Sequence, residues 1–148
     1  MEQAPERPSL PNIPDRSWRR IPATIVARNY EGRELIPGAA IQHAPKITAG
    51  VPLEVTIHSF GSGCEEAGGV DGTIDVLNAD LRPWDYTHAP DPDSGVEYVC
   101  TSQLKVFTQT FGIVFQSKGT ATMRAHGIVS HGRKPDAPIK LTSTVVVE

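Results

Sequence analysis

The chain has 148 residues, of which 39% are hydrophobic and 21% charged, with a formal net charge of −3. That length holds one domain and little else, and the composition is that of a globular protein. The lack of a basic excess argues against nucleic acid as a partner. No apolar run approaches the roughly 18 residues that a membrane-crossing helix needs, so no transmembrane segment is expected.

Residues 1–20 read as a proline-rich tether. Pro5, Pro8, Pro11 and Pro14 recur every third residue, a spacing that favours polyproline II geometry and forbids a helix. Of this segment, Trp18 has the side chain best able to dock on a sheet edge. The basic group Arg16, Arg19 and Arg20 reads as a solvated face. Residues 21–148 then form the folded domain. Ile21–Ala27 is a short β-branched strand, Ile36-Pro37-Gly38 a turn, and Ile41–Ile47 an edge or connecting segment because of Pro45. Ala49-Gly50 is a turn. In the clearest strand, Leu53, Val55 and Ile57 alternate with Glu54, Thr56 and His58, which predicts one buried face and one wet face.

Gly61–Gly69 contains four glycines and reads as a loop. A strand follows over Thr73–Leu81, with a shift of apolar phase that predicts a bulge, and Pro83 ends it. Thr87–Gly95 is a polar loop. From Val96 onward three strands are expected. In Leu104–Phe115 the residues Phe107, Phe111, Ile113 and Phe115 share one parity. Thr120–His126 alternates Ala121, Met123 and Ala125 against polar neighbours. After a loop at Gly127–Pro138, Ile139–Val147 closes the chain. About seven strands with no helical period predict an all-β fold, an immunoglobulin-like antiparallel β-sandwich, with a closed barrel as the alternative.

The two cysteines, Cys64 and Cys100, flank predicted strands. An even count in a Gly-, Pro- and Thr-rich β chain predicts a disulfide and an oxidising compartment. The bridge would close a loop of about 37 residues and contribute about 4 kcal/mol in the chain-entropy model. After Met1 the chain reads Glu-Gln-Ala-Pro-Glu-Arg-Pro, without the apolar core of a signal peptide. The protein is then either cytosolic or exported on a signal that precedes this start. The cysteines favour the second reading, with the protein periplasmic or at the cell surface and lipid-anchored in its full-length form.

Three segments carry a resemblance. Ala49–Ile57 resembles the second strand of many bacterial immunoglobulin-like modules. Phe115–Gly127 is similar to their strand, glycine turn and strand, and Thr142–Val147 to their closing strand. Together they cover about a third of the chain. Such modules occur in extracytoplasmic lipoproteins and surface proteins, so the resemblance implies a binding, adhesion or spacer role in the cell envelope. One departure is that the cysteines do not sit mid-strand around a buried tryptophan, so the antibody-type pin is not expected.

Candidate chemistry is sparse. His58 and His126 fall on the polar faces of strands and would form a zinc site, with Glu54 or Asp85, only if those strands were neighbours. His43, His88 and His131 have no assigned partners. A His58–Cys64 nucleophile conflicts with a disulfide, and Ser62 lacks the frame of a nucleophile elbow. Glu65, Glu66, Asp71 and Asp75 match no calcium-loop spacing. No catalytic residue, metal ligand or cofactor is therefore expected, and a metal-dependent enzyme using surface histidines is the remote alternative. Trp84, Tyr86 and Tyr98 are the candidate ligand-binding residues. They flank the loop Asp85–Gly95, where aromatics can stack on a sugar or anchor a protein. The expected partner is a protein or glycan of the cell envelope, with binding at the sandwich end that carries the Gly61–Gly69 and Asp85–Gly95 loops.

Overall fold

The computed structural model describes residues 18–35, 40–88, 104–131 and 134–148. It is all-β: among the described residues there are ten strands and no helix, hence no helix long and apolar enough to cross a membrane. The strands are β1 Trp18–Pro22, β2 Thr24–Ala27, β3 Ile41–Gln42, β4 Lys46–Ile47, β5 Pro52–Gly61, β6 Glu65–Asp75, β7 Asn78–His88, β8 Lys105–Val114, β9 Gly119–Ser130 and β10 Ala137–Val147.

They form one curled, mixed sheet, a half-barrel, ordered β1-β7-β9-β2-β5-β3, with β6 on β7, β8 on β5, and β10 joining β9 and β4. The pairing departs from that of an all-antiparallel sandwich, because β2–β9, β7–β9 and β4–β10 are parallel. The parallel β2–β9 pair follows from the path of the N-terminal strands. β1 runs antiparallel to β7, from Trp18 opposite His88 to Pro22 opposite Trp84. The chain then crosses at Ala23 and continues as β2 alongside β9. Ala23 spans the gap: its N–H donates to the Pro83 carbonyl at 3.1 Å and its carbonyl accepts from the Ile128 N–H at 2.9 Å.

Strict alternation builds the core. Leu53, Val55 and Ile57 of β5, Ile113 and Phe115, Ala121, Met123 and Ala125 of β9, and Val145 and Val147 of β10 are all buried in one cluster. Full burial of each large aliphatic or aromatic side chain contributes about 1.5–3 kcal/mol. Ala79 and Leu81 of β7 join the same cluster.

Four local expectations are corrected. The Thr73–Leu81 stretch is two strand arms joined by a turn at Val76-Leu77, with Asp75 opposite Asn78; the shift of apolar phase marks a reversal of the chain. Most of Gly61–Gly69 is strand, because β6 starts at Glu65 and its bulge falls between Ala67 and Val70. Pro83 does not end its strand. It sits where β7 leaves β9 (last pair Leu81–Ala125) and before β7 takes β1 (first pair Trp84–Pro22), so its missing N–H interrupts neither ladder. Trp18–Arg20, assigned to the tether, form the start of β1. The rest of the tether, the turn at Ile36-Pro37-Gly38 and the segment holding Tyr98 and Cys100 lie outside the described residues.

Candidate functional site

Because β7 runs through to His88, Trp84 and Tyr86 stand on a strand and not on a loop. Alternation sends Ala79, Leu81, Pro83 and Asp85 inward and leaves Arg82, Trp84 and Tyr86 on the outer face. The two aromatics therefore neither plug the core nor belong to a loop cluster at the sandwich end.

The β1 pairing brings a second set of side chains onto this face. Trp18 packs its edge on Tyr86 (centroids 6.5 Å apart, 84° between planes) and on His88 (5.3 Å, 69°). The Arg20 guanidinium lies 4.9 Å from the Trp84 ring centroid, a cation–π contact. Arg20 is itself clamped: Nη1 and Nη2 donate to the Asp71 carboxylate at 3.1 and 3.3 Å, and Nε donates to the Gly68 carbonyl at 3.0 Å. That fork-to-carboxylate geometry is directional, so Trp84 has a fixed cover on one side. Gly68 makes the clamp possible. A Cβ there would lie 2.8 Å from the backbone carbonyl carbons of Trp84 and Asp85, so only glycine lets β6 approach β7 this closely.

Trp84 also borders an open groove of about 610 Å³ beside β7 and β9, lined also by Pro22, Arg82, His126, Ile128 and Lys140. The indole Nε1–H is buried and has no hydrogen-bond partner among the described residues. His126 is oriented by Asp80, with Nε2 to Oδ1 at 2.8 Å. The His126 hydrogen bond, with smaller help from the charges of His126, Arg124 and Arg82, outweighs burial and holds the Asp80 carboxyl below the usual carboxylate value.

Behind the groove, on the core side of β7, Asp85 is 1% exposed. Ser59 Oγ donates to Asp85 Oδ1 at 3.0 Å, and the Thr24 backbone N–H donates to the same carboxyl. Burial pushes its pKa up to about 7, helped by the nearby Glu65 charge and opposed by the Ser59 and Thr24 hydrogen bonds. Asp85 thus ties β7 to β5 and to the crossover into β2. It is a buried titratable group that the sequence reading mentioned only as a neighbour of a zinc site.

The remaining sequence candidates do not converge. In the sheet, β2 lies between β9 and β5, so His126 and His58 are not on neighbouring strands. Among the described residues no group of three or more His, Cys, Asp or Glu side chains gathers. Three of the four acids considered for calcium are tied up separately. Glu65 accepts from the Ser62 N–H and Oγ at 2.9 and 3.0 Å, Glu66 pairs with Lys105 at 3.0 Å, and Asp71 holds Arg20. Ser62 serves as the capping partner of Glu65. His43 bridges the Ala44 carbonyl and Ser143 Oγ, each at 2.6 Å. Arg20, Arg82 and Lys140 were missed as site residues. Outward charges on strands look like solvent-facing residues until the pairing of β7, β9 and β10 is known. No protein-family model, no curated protein and no solved structure matches the chain.

Proposed function

We propose that this chain is a non-catalytic binding module that works outside the cytoplasm and holds a saccharide in the groove beside Trp84. The observation that carries the reading is the indole itself: half-buried, braced by Arg20 and bordering an open groove. An aromatic side chain bordering an open groove is the usual equipment for stacking on a pyranose. The groove borders strands and not loops, so it is preformed. β9 is paired along its length with β10 and over parts of its other edge with β7 and β2, which leaves little edge for an added peptide strand. A non-catalytic role is supported by the burial of Asp85 and Ser59, each 1% exposed and out of reach of a substrate.

Two finer readings accompany this one. An immunoglobulin-like ancestry is supported by the facing of β3-β5-β8 against β6-β7-β9-β10 across one core, with β2 as the link. A Cys64–Cys100 bridge is supported by register. Gly61 pairs with Lys105, and along the chain Cys64 is three residues after Gly61 and Cys100 five before Lys105. Short extended segments span about 3.3–3.6 Å per residue, which is ample reach. The bridge in turn supports an extracytoplasmic location.

The test is a binding screen on a glycan array, followed by titration calorimetry of the best ligand against the wild type and Trp84→Ala. Loss of an aromatic anchor is expected to weaken binding by more than about 1 kcal/mol, with the melting temperature little changed. A variant that binds as tightly as the wild type overturns the site.

A further inference from the structure

We propose that the groove selects acidic polysaccharides, with ligand carboxylates seated between Arg82 and Lys140; this rests on the saccharide reading of the same groove. Arg82 and Lys140 line it, together with His126, and no Asp or Glu does. The local surplus of positive charge is unexpected in a chain whose formal net charge is −3. It survives an accounting of the facing groups. On the strands around the groove, Asp71 is neutralised by Arg20 and Asp80 is engaged by His126. Arg124 reaches the Asn78 side-chain oxygen at 3.4 Å. Arg82 and Lys140 are exposed and form no ion pair among the described residues. Arg82 also stands opposite Asp71 on β6 and its charge acts on Asp80; both cations line the groove, whereas those acids do not.

Their placement gives the ligand a length. Lys140 on β10 lies opposite His126 on β9. Arg82 on β7 follows Leu81, which pairs with Ala125 of β9. Three adjacent strands thus carry Lys140, His126 and Arg82 in a row. At about 4.8 Å per strand the outer two are roughly 10 Å apart at the backbone. That is about two linked pyranose rings, so a chain lying across the strands can place one carboxylate at each cation, and its continuation along β7 past Arg82 reaches Trp84, two residues further on. Arg82 offers a planar fork suited to a carboxylate and Lys140 a mobile point charge. Each charge-assisted bond contributes more than a neutral one, so both charge and ring are needed for tight binding.

The test uses the whole chain and an array of uronate-bearing oligosaccharides, each paired with its methyl ester, which keeps the rings and removes the charge. The expected result is binding of acidic oligomers that is weakened about tenfold or more by esterification, a difference of about 1.4 kcal/mol. The double variant Arg82→Gln/Lys140→Gln should lose affinity to the same degree and lose most of the salt dependence. Both residues are exposed, so an unchanged melting temperature checks the fold. Esters that bind as well as acids, still in a Trp84-dependent way, overturn the acidic selectivity and leave the groove reading standing. Acids that bind independently of Trp84, or no glycan binding at all, overturn both.

Discussion

Asp85 makes the folded state sensitive to pH in a direction opposite to that of ordinary surface carboxylates. Its pKa rises from 3.8 to about 7 on folding. The folded state therefore binds a proton that the unfolded state releases, throughout the window between these values. By linkage, the stabilisation is fully present below about pH 4 and falls as pH rises, until it is lost above about pH 7. A difference of about 3 units corresponds to about 4 kcal/mol, a large share of the stability of a domain this size. Asp85→Asn removes the titration. The amide oxygen can still accept from Ser59 Oγ and the Thr24 N–H, and the new NH₂ costs about 1–2 kcal/mol if it finds no partner. Urea unfolding of both proteins at pH 4.5, 6 and 8 isolates the effect, because every other titrating group is common to the pair. The wild type should lose stability across the series relative to the variant, which becomes the more stable protein at pH 8 by about 2–3 kcal/mol. Asp80, held low by His126, titrates below this window and has the opposite sign. Parallel pH dependences for the two proteins would refute the assignment of a protonated, buried Asp85.

Other outcomes follow from single positions. Val76 holds a positive φ of 54° in the β6–β7 turn and is exposed; Val76→Asn, which tolerates that conformation, should raise stability by about 0.5–1 kcal/mol in a thermal melt. Gly68→Ala would press a methyl group onto the Trp84–Asp85 backbone and should cost about 1–3 kcal/mol, with a change in tryptophan fluorescence because the Arg20 clamp over Trp84 is disturbed. Titration of thiols in denaturant without reductant should find none at Cys64 or Cys100; two reactive thiols would remove the bridge and much of the case for an exported protein.

Where one strand face is buried, the sequence was easy to read. Period two marked Leu53, Val55 and Ile57, then Ala121, Met123 and Ala125, then Val145 and Val147, and every one of these is core. Turn chemistry was the weak point. Val76-Leu77 carries neither Gly nor Asn, the residues that normally announce a positive φ, so a hairpin looked like one bulged strand. Pro83 looked like a terminator because its local effect on a ladder is clear, whereas the hand-over from β9 to β1 that accommodates it is a tertiary fact. Trp84 and Tyr86 were identifiable as candidate binding residues by residue type, but their setting was not. Arg20 reaches Trp84 through the pairing of β1 with β7, and Lys140 reaches the same groove through β10 and β9. Those neighbours are 64 and 56 positions away from Trp84 in the chain, and nothing in the local pattern announces them.

The most direct test of the account is an amide and indole nitrogen–proton correlation spectrum during titration with an acidic oligosaccharide. The chain has two tryptophans, so two indole signals are expected, and the one missing in Trp84→Ala identifies Trp84. The account predicts that this signal moves as a saccharide ring packs beside the indole, together with the backbone amides of Arg82, His126 and Lys140. Saturable binding that leaves the Trp84 indole unmoved and shifts amides elsewhere on the sheet would contradict it.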